Sequence, residues 1–169
     1  PKIYRDAECV VQTCCLKTHS MGGHFTMSLK NGVALVPRRG YSYRDALHTS
    51  PDIRLMIAEI NAAFRTDLIV LDGVEAFVDG GPMTGTRVHA DVVVGGTDRI
   101  AVDAVGVAIL RYLGTTPEVS EGPIFAQQQI ARAVELGVGV DAPDKIEIVT
   151  GDSDSEAYAR RIREVLYAG

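Results

Sequence analysis

The residues best suited to chemistry stand where predicted strands end. Lys17, Thr18 and His19 follow one apolar segment, Asp72 follows a second, and Asp98 follows a third after two glycines. In open α/β sheets, ligands bind beyond the carboxyl ends of the strands. If the three strands are parallel neighbours, these side chains converge on one site.

The first of these segments has the composition of an anion site. Lys17 supplies a point charge with three donors, while Thr18 and His19 add directional hydrogen bonds. His19 also changes its charge near neutral pH. The set suits an anion or a metal-associated substrate. The alternative is a solvated strand end with one structural histidine.

Carboxylates at the other two strand ends complete the predicted catalytic set of His19, Asp72 and Asp98. They would orient the ligand or bind a cation. Asp72 precedes Gly73 and can instead cap a turn. Asp103 lies in an otherwise apolar helix, where an unpartnered carboxylate is costly. We therefore expect Asp103 to hydrogen-bond to neighbouring backbone and to support the site structurally.

Two further segments provide candidate binding residues. Lys30 and Asn31 lie in a predicted helix over 24–35 and can face the same site, although a solvated helix face is the alternative. Gly81 and Thr84 belong to a glycine-rich loop whose backbone N–H groups can bind an anion. That loop lacks the Lys-Ser or Lys-Thr of a P-loop, so a flexible turn is its alternative interpretation.

Helical and extended patterns alternate along the chain. Four apolar runs predict strands, and helices are predicted from Ser50, from Thr97 or Asp98, from Ser120 and from Asp154. Such alternation favours an α/β three-layer sandwich with a largely parallel or mixed sheet. The length of 169 residues fits a single domain. The predicted strands cover 9–16, 67–71, 90–94 and 145–149.

Composition argues against several partners. The net charge is -5, and the basic residues Arg38, Arg39 and Arg44 form only one loop cluster, so we expect no nucleic-acid partner. No apolar run approaches the roughly 20 residues of a membrane span. The three cysteines, Cys9, Cys14 and Cys15, are predicted to be buried reduced thiols of a cytoplasmic protein. Their spacing is not that of an iron–sulfur ligand set.

Several motifs, taken in order, resemble the family called domain of unknown function 362. The resemblance implies an uncharacterised α/β domain that is often fused to, or encoded with, iron–sulfur ferredoxin modules. The motifs are Lys17-Thr18-His19, Thr26, Lys30-Asn31-Gly32, Leu47-His48, Ile57-Ala58-Glu59-Ile60, Asp72-Gly73, Gly80-Gly81-Pro82, Thr84-Gly85 and the stretch from Gly95 to Ala104.

The chain departs from the family pattern in three ways. It has no ferredoxin-type cysteine cluster, Arg99 stands where a proline is expected, and the usual upstream portion is missing. The last point suggests a fragment of a longer protein. The resemblance extends from about residue 11 to residue 149, and it supports a shared site for Lys17, His19, Lys30, Asp72 and Asp98.

Two functions follow from these patterns. The first is an enzyme or redox-associated domain that binds a small anionic or metal-associated ligand at its strand ends, with a metal ion as the candidate cofactor. The second is a non-catalytic binding or scaffold module, which would dock a ferredoxin-like protein or a second copy of itself. The patterns do not identify the substrate or the metal.

Overall fold

A computed structural model describes residues 2–36 and 40–168. Arg38 and Arg39 of the predicted basic loop lie outside the described residues. The strands are β1 (Val11–His19), β2 (His24–Thr26), β3 (Leu68–Gly80) and β4 (Gly85–Gly96). The helices are α1 (Lys2–Asp6), α2 (Ser28–Asn31), α3 (Tyr43–Thr49), α4 (Ile53–Asn61), α5 (Arg99–Leu113), α6 (Pro117–Ser120), α7 (Gln128–Glu135) and α8 (Ser153–Ala168). Short 3-10 turns cover Gly32–Leu35, Ile124–Ala126 and Pro143–Lys145.

The four strands form one mixed sheet in the order β2-β1-β3-β4. β1 and β3 are parallel, whereas β2 pairs antiparallel with β1 and β4 pairs antiparallel with β3. The predicted α/β fold with a mixed sheet is therefore confirmed. β3 and β4 are both longer than predicted, because their polar residues alternate with buried ones and remain in the ladder.

The two faces of the sheet differ in their surroundings. On one face, Leu16, Leu71 and Ala90 are buried, and α5 packs across β1, β3 and β4. On the other face, Val11 and Val93 are more than half exposed. This second face, which a third layer would cover, is exposed in the described residues.

The central helix α5 begins and ends as its sequence predicts. Asp98 caps it by accepting the N–H of Ala101, and Gly114 ends it with a φ of 83°. Asp103, in the second turn of this helix, has a completely buried carboxylate. Among the helices of residues 2–36 and 40–168, none is long and apolar enough to cross a bilayer.

Three predicted elements are wrong in part or altogether. The helix predicted from Ser120 begins only at Gln128, after α6 has ended at Ser120 and a 3-10 turn has followed. The segment 24–35 begins as β2, because the turn at Gly22 and Gly23 folds it back onto β1 before the short α2 forms. The predicted strand over 145–149 does not form. There the carbonyl of Ile148 accepts a hydrogen bond from the Arg163 side chain of α8.

Candidate anion-binding site

The end of β1 and the short helix α2 meet around Gly23. The β1–β2 hairpin places Lys17 opposite Thr26 and His19 opposite His24. A methyl group added to Gly23 would lie 3.1 Å from Nζ of Lys30 and 3.2 Å from Nδ1 of His19. The two nitrogens therefore both pack against Gly23, so closely that even a methyl group there would be crowded.

Lys30 is the unusual residue of this region. Its side chain is only 7% exposed, and none of the residues that the structure describes offers Nζ a hydrogen-bond partner. Burial, followed by the positive charge of Lys17, lowers the pKa of Lys30 to about 8. A buried, unpaired ammonium group is unfavourable for folding, so this position invites a functional explanation.

His19 is kept neutral by the same surroundings. Burial lowers its pKa to about 4, and the charges of Lys30, His48 and Lys17 act in the same direction. The centroids of the His19 and His48 rings lie 5.8 Å apart. Nδ1 of His19 accepts the N–H of Met21 at 3.2 Å, so the proton of the neutral ring is on Nε2. At neutral pH, His19 is a hydrogen-bond donor at Nε2.

We call Lys17, His19, Lys30 and His48 the cationic site. The charged groups that shift the pKa values of His19 and Lys30 are lysines and a histidine. A site of this composition attracts negative charge. In the described part of the chain, no three His, Cys, Asp or Glu side chains are placed to hold a metal ion together.

Helix α2, which carries Lys30, is held in place by the buried carboxylate of Asp103. Oδ1 accepts the N–H of Ser28 at 2.7 Å, and Oδ2 accepts the N–H of Leu29 at 3.2 Å. Burial raises the pKa of Asp103 to about 7, although these hydrogen bonds and one from Gln129 oppose the shift. The expected structural role of Asp103 is confirmed: it fixes the turn directly before Lys30.

A second buried contact anchors the same helix. Nδ2 of Asn61 donates to the carbonyl of Leu29 at 2.7 Å, and Arg99 donates to Oδ1 of Asn61 at 3.0 Å. Asn31, a predicted binding residue, donates from Nδ2 to the carbonyl of Thr13 at 3.0 Å. In this geometry, Asn31 attaches α2 to β1, and its amide N–H is engaged with the backbone.

Thr18, Gly81 and Thr84 lie where the end of β1 meets the β3–β4 turn. Oγ1 of Thr18 donates to the carbonyls of Phe77 and Gly80, both at 3.2 Å. The backbone N–H of Gly81 donates to the carbonyl of Thr84 at 2.7 Å. These predicted binding residues therefore tie β1 to the β3–β4 turn. The N–H of Gly81 closes that turn, whereas its prediction had it facing a ligand.

Asp98 lies at the other end of the sheet, so its predicted convergence with His19 is wrong. Because β4 is antiparallel to β3, its final residue Gly96 pairs with Ile69 near the start of β3. That end is about 20 Å along β1 from His19, at roughly 3.3 Å per residue. The two carboxylate oxygens of Asp98 accept the N–H groups of Ala101 and Val140.

Asp72 also differs from its predicted placement, since it lies within β3 and not at its end. It pairs with Cys15 on the exposed face of the sheet. Beyond it, β3 bulges away from β1 and leaves a hollow of about 480 Å³. Asp72, Lys17, Glu75, Arg87 and His89 line this hollow. Lys17 thus lines the hollow, and its charge also lowers the pKa values of His19 and Lys30.

Cys14 and Cys15 lie on opposite faces of β1, and Cys9 precedes the strand. Cys9 and Cys15 are exposed, so the prediction of buried thiols is wrong for both. Cys14 is half-buried, and burial raises its pKa to about 12. All three are free thiols. The reason is the exposed sheet face, onto which Cys15 projects.

The sequence profile of a family described as "Domain of unknown function (DUF362)" matches residues 1–108. The chain belongs to this family. The DUF362 match includes all of the cationic site and ends within α5, whereas the resemblance was expected to continue to residue 149. No curated protein and no solved structure matches the chain.

Sequence reasoning missed His48 of the cationic site and also Gly23, which packs against Lys30 and His19. His48 was noticed only as part of a family motif, and Gly23 only as a break in the chain. The signal for Gly23 was the Gly22-Gly23 pair directly after His19, which permits the tight return of the chain. Nothing in the sequence shows that α3 brings His48 to within 5.8 Å of His19.

Proposed function

We propose that this DUF362 chain binds a small anionic ligand through a carboxylate or phosphate group at the cationic site, as the recognition step of an enzymatic or redox-associated activity. The observation that carries the proposal is the buried Nζ of Lys30, for which the described residues provide no hydrogen-bond partner. An anion on this atom would supply the missing partner.

The surrounding groups support an anion in that position. Lys17 and Lys30 repel each other when both are charged, and an anion between them offsets that repulsion. Oγ1 of Thr26, opposite Lys17 in the ladder, is also buried without a partner among the described residues. Charge-assisted hydrogen bonds to such an anion are about twice as strong as neutral ones.

The direct experiment is calorimetric titration with inorganic phosphate at pH 7. We expect saturable binding that weakens about tenfold or more in Lys30→Met, because loss of one charge-assisted hydrogen bond of 1.5–3 kcal/mol changes affinity by that order. Lys2→Met removes the same formal charge from α1 and should leave binding unchanged. Equal phosphate affinity in the wild type and in Lys30→Met would contradict the proposal.

A second test displaces Lys30 and His19 by adding a methyl group to Gly23. The methyl group of Gly23→Ala would lie 3.1 Å from Nζ of Lys30 and 3.2 Å from Nδ1 of His19, so we expect phosphate affinity to fall while the fold is retained. Gly151→Ala is the matched control, because a Cβ there meets no atom within 4 Å. If both alanine variants bind phosphate like the wild type, the ligand does not contact Lys30 and His19.

The metal ion and the ferredoxin-like partner remain part of the proposal at a coarser level. They are supported by the family resemblance alone. Among the described residues, no three potential metal ligands lie close enough together to hold an ion. A metal-associated ligand would therefore bring its own metal, and the cationic site would hold its anionic groups. Elemental analysis of the native protein, before and after dialysis against phosphate, tests this part.

Self-assembly through the exposed sheet face is a second candidate function. Val11, Val74 and Val93 are 54%, 51% and 60% exposed there. In the nearby hollow, Arg87 and Glu75 pair with each other at 3.3 Å, so their charges do not oppose the approach of a second copy. Sedimentation velocity should then show a concentration-dependent dimer that Val93→Lys weakens. A monomer at all concentrations would remove this candidate.

A further inference from the structure

We propose that the hollow between β1 and β3 is a second binding site, which takes a small α-amino acid in its zwitterionic form. The carboxylate of the ligand binds the side chain of Lys17, and its ammonium group binds Asp72. Both side chains line the hollow. This site differs from the one proposed for anions, whose central atom is the buried Nζ of Lys30, and it needs no anion there.

The hollow is a consequence of irregular pairing between the two strands. Cys15 pairs with Asp72, but the next pair along the strands joins Lys17 to Phe77. Residues 73–76 of β3 therefore have no partner on β1, and this gap in the ladder opens the sheet between the strands. Bulges occur often next to active sites. The volume of the hollow, about 480 Å³, is that of a small-molecule site.

The charged side chains around the hollow are of both signs. Arg87 and Glu75 pair with each other at 3.3 Å, and His89 approaches the same carboxylate at 4.0 Å. Among the ion pairs of the described residues, none includes Lys17 or Asp72. The two charges of the hollow that have no charged partner there are therefore one ammonium group and one carboxylate.

Lys17 and Asp72 lie on the same face of the sheet, diagonally across two strands. Cys15, the ladder partner of Asp72, stands two residues before Lys17, and residues two apart on a strand share a face. Diagonal neighbours on one face are about 7–8 Å apart. The two side chains can therefore bind the two charged groups of one small molecule placed between them.

This arrangement of charges selects the ligand class. A simple anion bound to Lys17 would also meet the negative charge of Asp72, and a simple cation bound to Asp72 would meet the positive charge of Lys17. An α-amino acid carries its ammonium and carboxylate groups on one carbon atom, so it complements both side chains at once. Val74 and Phe77 also line the hollow and suit a small apolar side chain on the ligand.

Titration of the isotope-labelled chain with L-alanine at pH 7, followed by NMR of the backbone amides, tests the site. We expect saturable shifts at residues 73–76 and at His89. Propionate lacks the ammonium group and ethylamine lacks the carboxylate, so each should bind about tenfold or more weakly than L-alanine, because one charge-assisted hydrogen bond is lost. Equal affinity for L-alanine and propionate, no saturable shift, or shifts centred on α2 in place of the hollow would overturn the inference.

Asp72→Asn tests the ammonium side of the site and should weaken L-alanine binding by the same order. It should keep the fold, because an amide oxygen can still accept the N–H of Val74, which Oδ1 of Asp72 accepts at 3.0 Å. Asp154→Asn makes the same change at the exposed start of α8 and should bind L-alanine like the wild type. If Asp72→Asn also binds like the wild type, the inference is wrong. The comparison of the three ligands on the wild type does not depend on how this variant folds.

Phosphate and L-alanine separate this inference from the proposed function. Binding of phosphate without any binding of L-alanine would overturn the zwitterion site and leave the anion site. Saturable shifts from L-alanine at the hollow, without any phosphate binding, would support the zwitterion site although the proposed function had failed.

Discussion

Lys30→Met is expected to stabilise the fold by about 1–3 kcal/mol in the absence of ligand, while it weakens anion binding about tenfold or more. The reason is that the substitution removes a buried polar group without a hydrogen-bond partner, whose burial carries a penalty of that order. Methionine matches the length of lysine and suits an apolar site. A gain of stability together with a loss of binding is typical of a residue kept for function.

The pH dependence of this effect has a definite sign. The pKa of Lys30 is lowered by folding, so between about pH 8 and 10.5 the unfolded chain binds more protons than the folded one. Wild-type stability therefore rises with pH across that window. The advantage of Lys30→Met should be largest below pH 8 and should shrink towards pH 10.5. Chemical denaturation at pH 7 and pH 10 measures it, and a destabilised Lys30→Met would contradict the account.

Asp103→Ala should produce the largest loss of stability, about 3 kcal/mol or more. It leaves the buried N–H groups of Ser28 and Leu29 without their acceptor, and each unsatisfied group costs about 1–3 kcal/mol. The first turn of α2 would then be free to shift, and Lys30 with it. We therefore expect phosphate affinity to fall in Asp103→Ala even under conditions in which the variant remains folded.

Asp103→Asn is the matched control, since its amide oxygen still accepts one of the two N–H groups. The pKa of Asp103 is raised by folding, so the carboxylate favours the unfolded chain as pH rises from about 4 to 7. His19, with its lowered pKa, acts in the opposite direction over much of that range. The contribution of Asp103 to the pH dependence of stability should thus appear in the difference between the unfolding free energies of the wild type and Asp103→Asn. A difference that does not change with pH would contradict this role.

The elements that a local pattern determines could be predicted from the sequence. The parallel pairing of β1 with β3 follows from their apolar runs, and the limits of α5 follow from Asp98 and Gly114. The direction of β4 could not be predicted, because two strands joined by a hairpin turn and two joined by a crossover have similar apolar runs in the sequence. The structure of residues 145–149 could not be predicted either. This segment does not form a strand, and the carbonyl of Ile148 accepts a hydrogen bond from the Arg163 side chain.

The site, like the fold, could be predicted only where neighbouring residues in the sequence determine it. Lys17, His19 and Lys30 lie close in the chain, so a hairpin and one helix are enough to bring them together. The predicted place of Asp98 in the site required β4 to run parallel to β3, whereas it runs antiparallel. His48 and Asp103 reach the site region only through tertiary packing of α3 and α5, which no spacing rule describes.

The most direct test is a measurement of the pKa of the Lys30 amine. NMR of selectively labelled lysine gives this pKa with and without inorganic phosphate. A bound anion stabilises the ammonium form. We therefore expect the pKa to begin near 8 and to rise by about one unit or more at saturation, since a charge-assisted hydrogen bond of 1.5–3 kcal/mol corresponds to such a shift. A pKa that starts at the value of an exposed lysine, or one that phosphate leaves unchanged, would contradict the anion site.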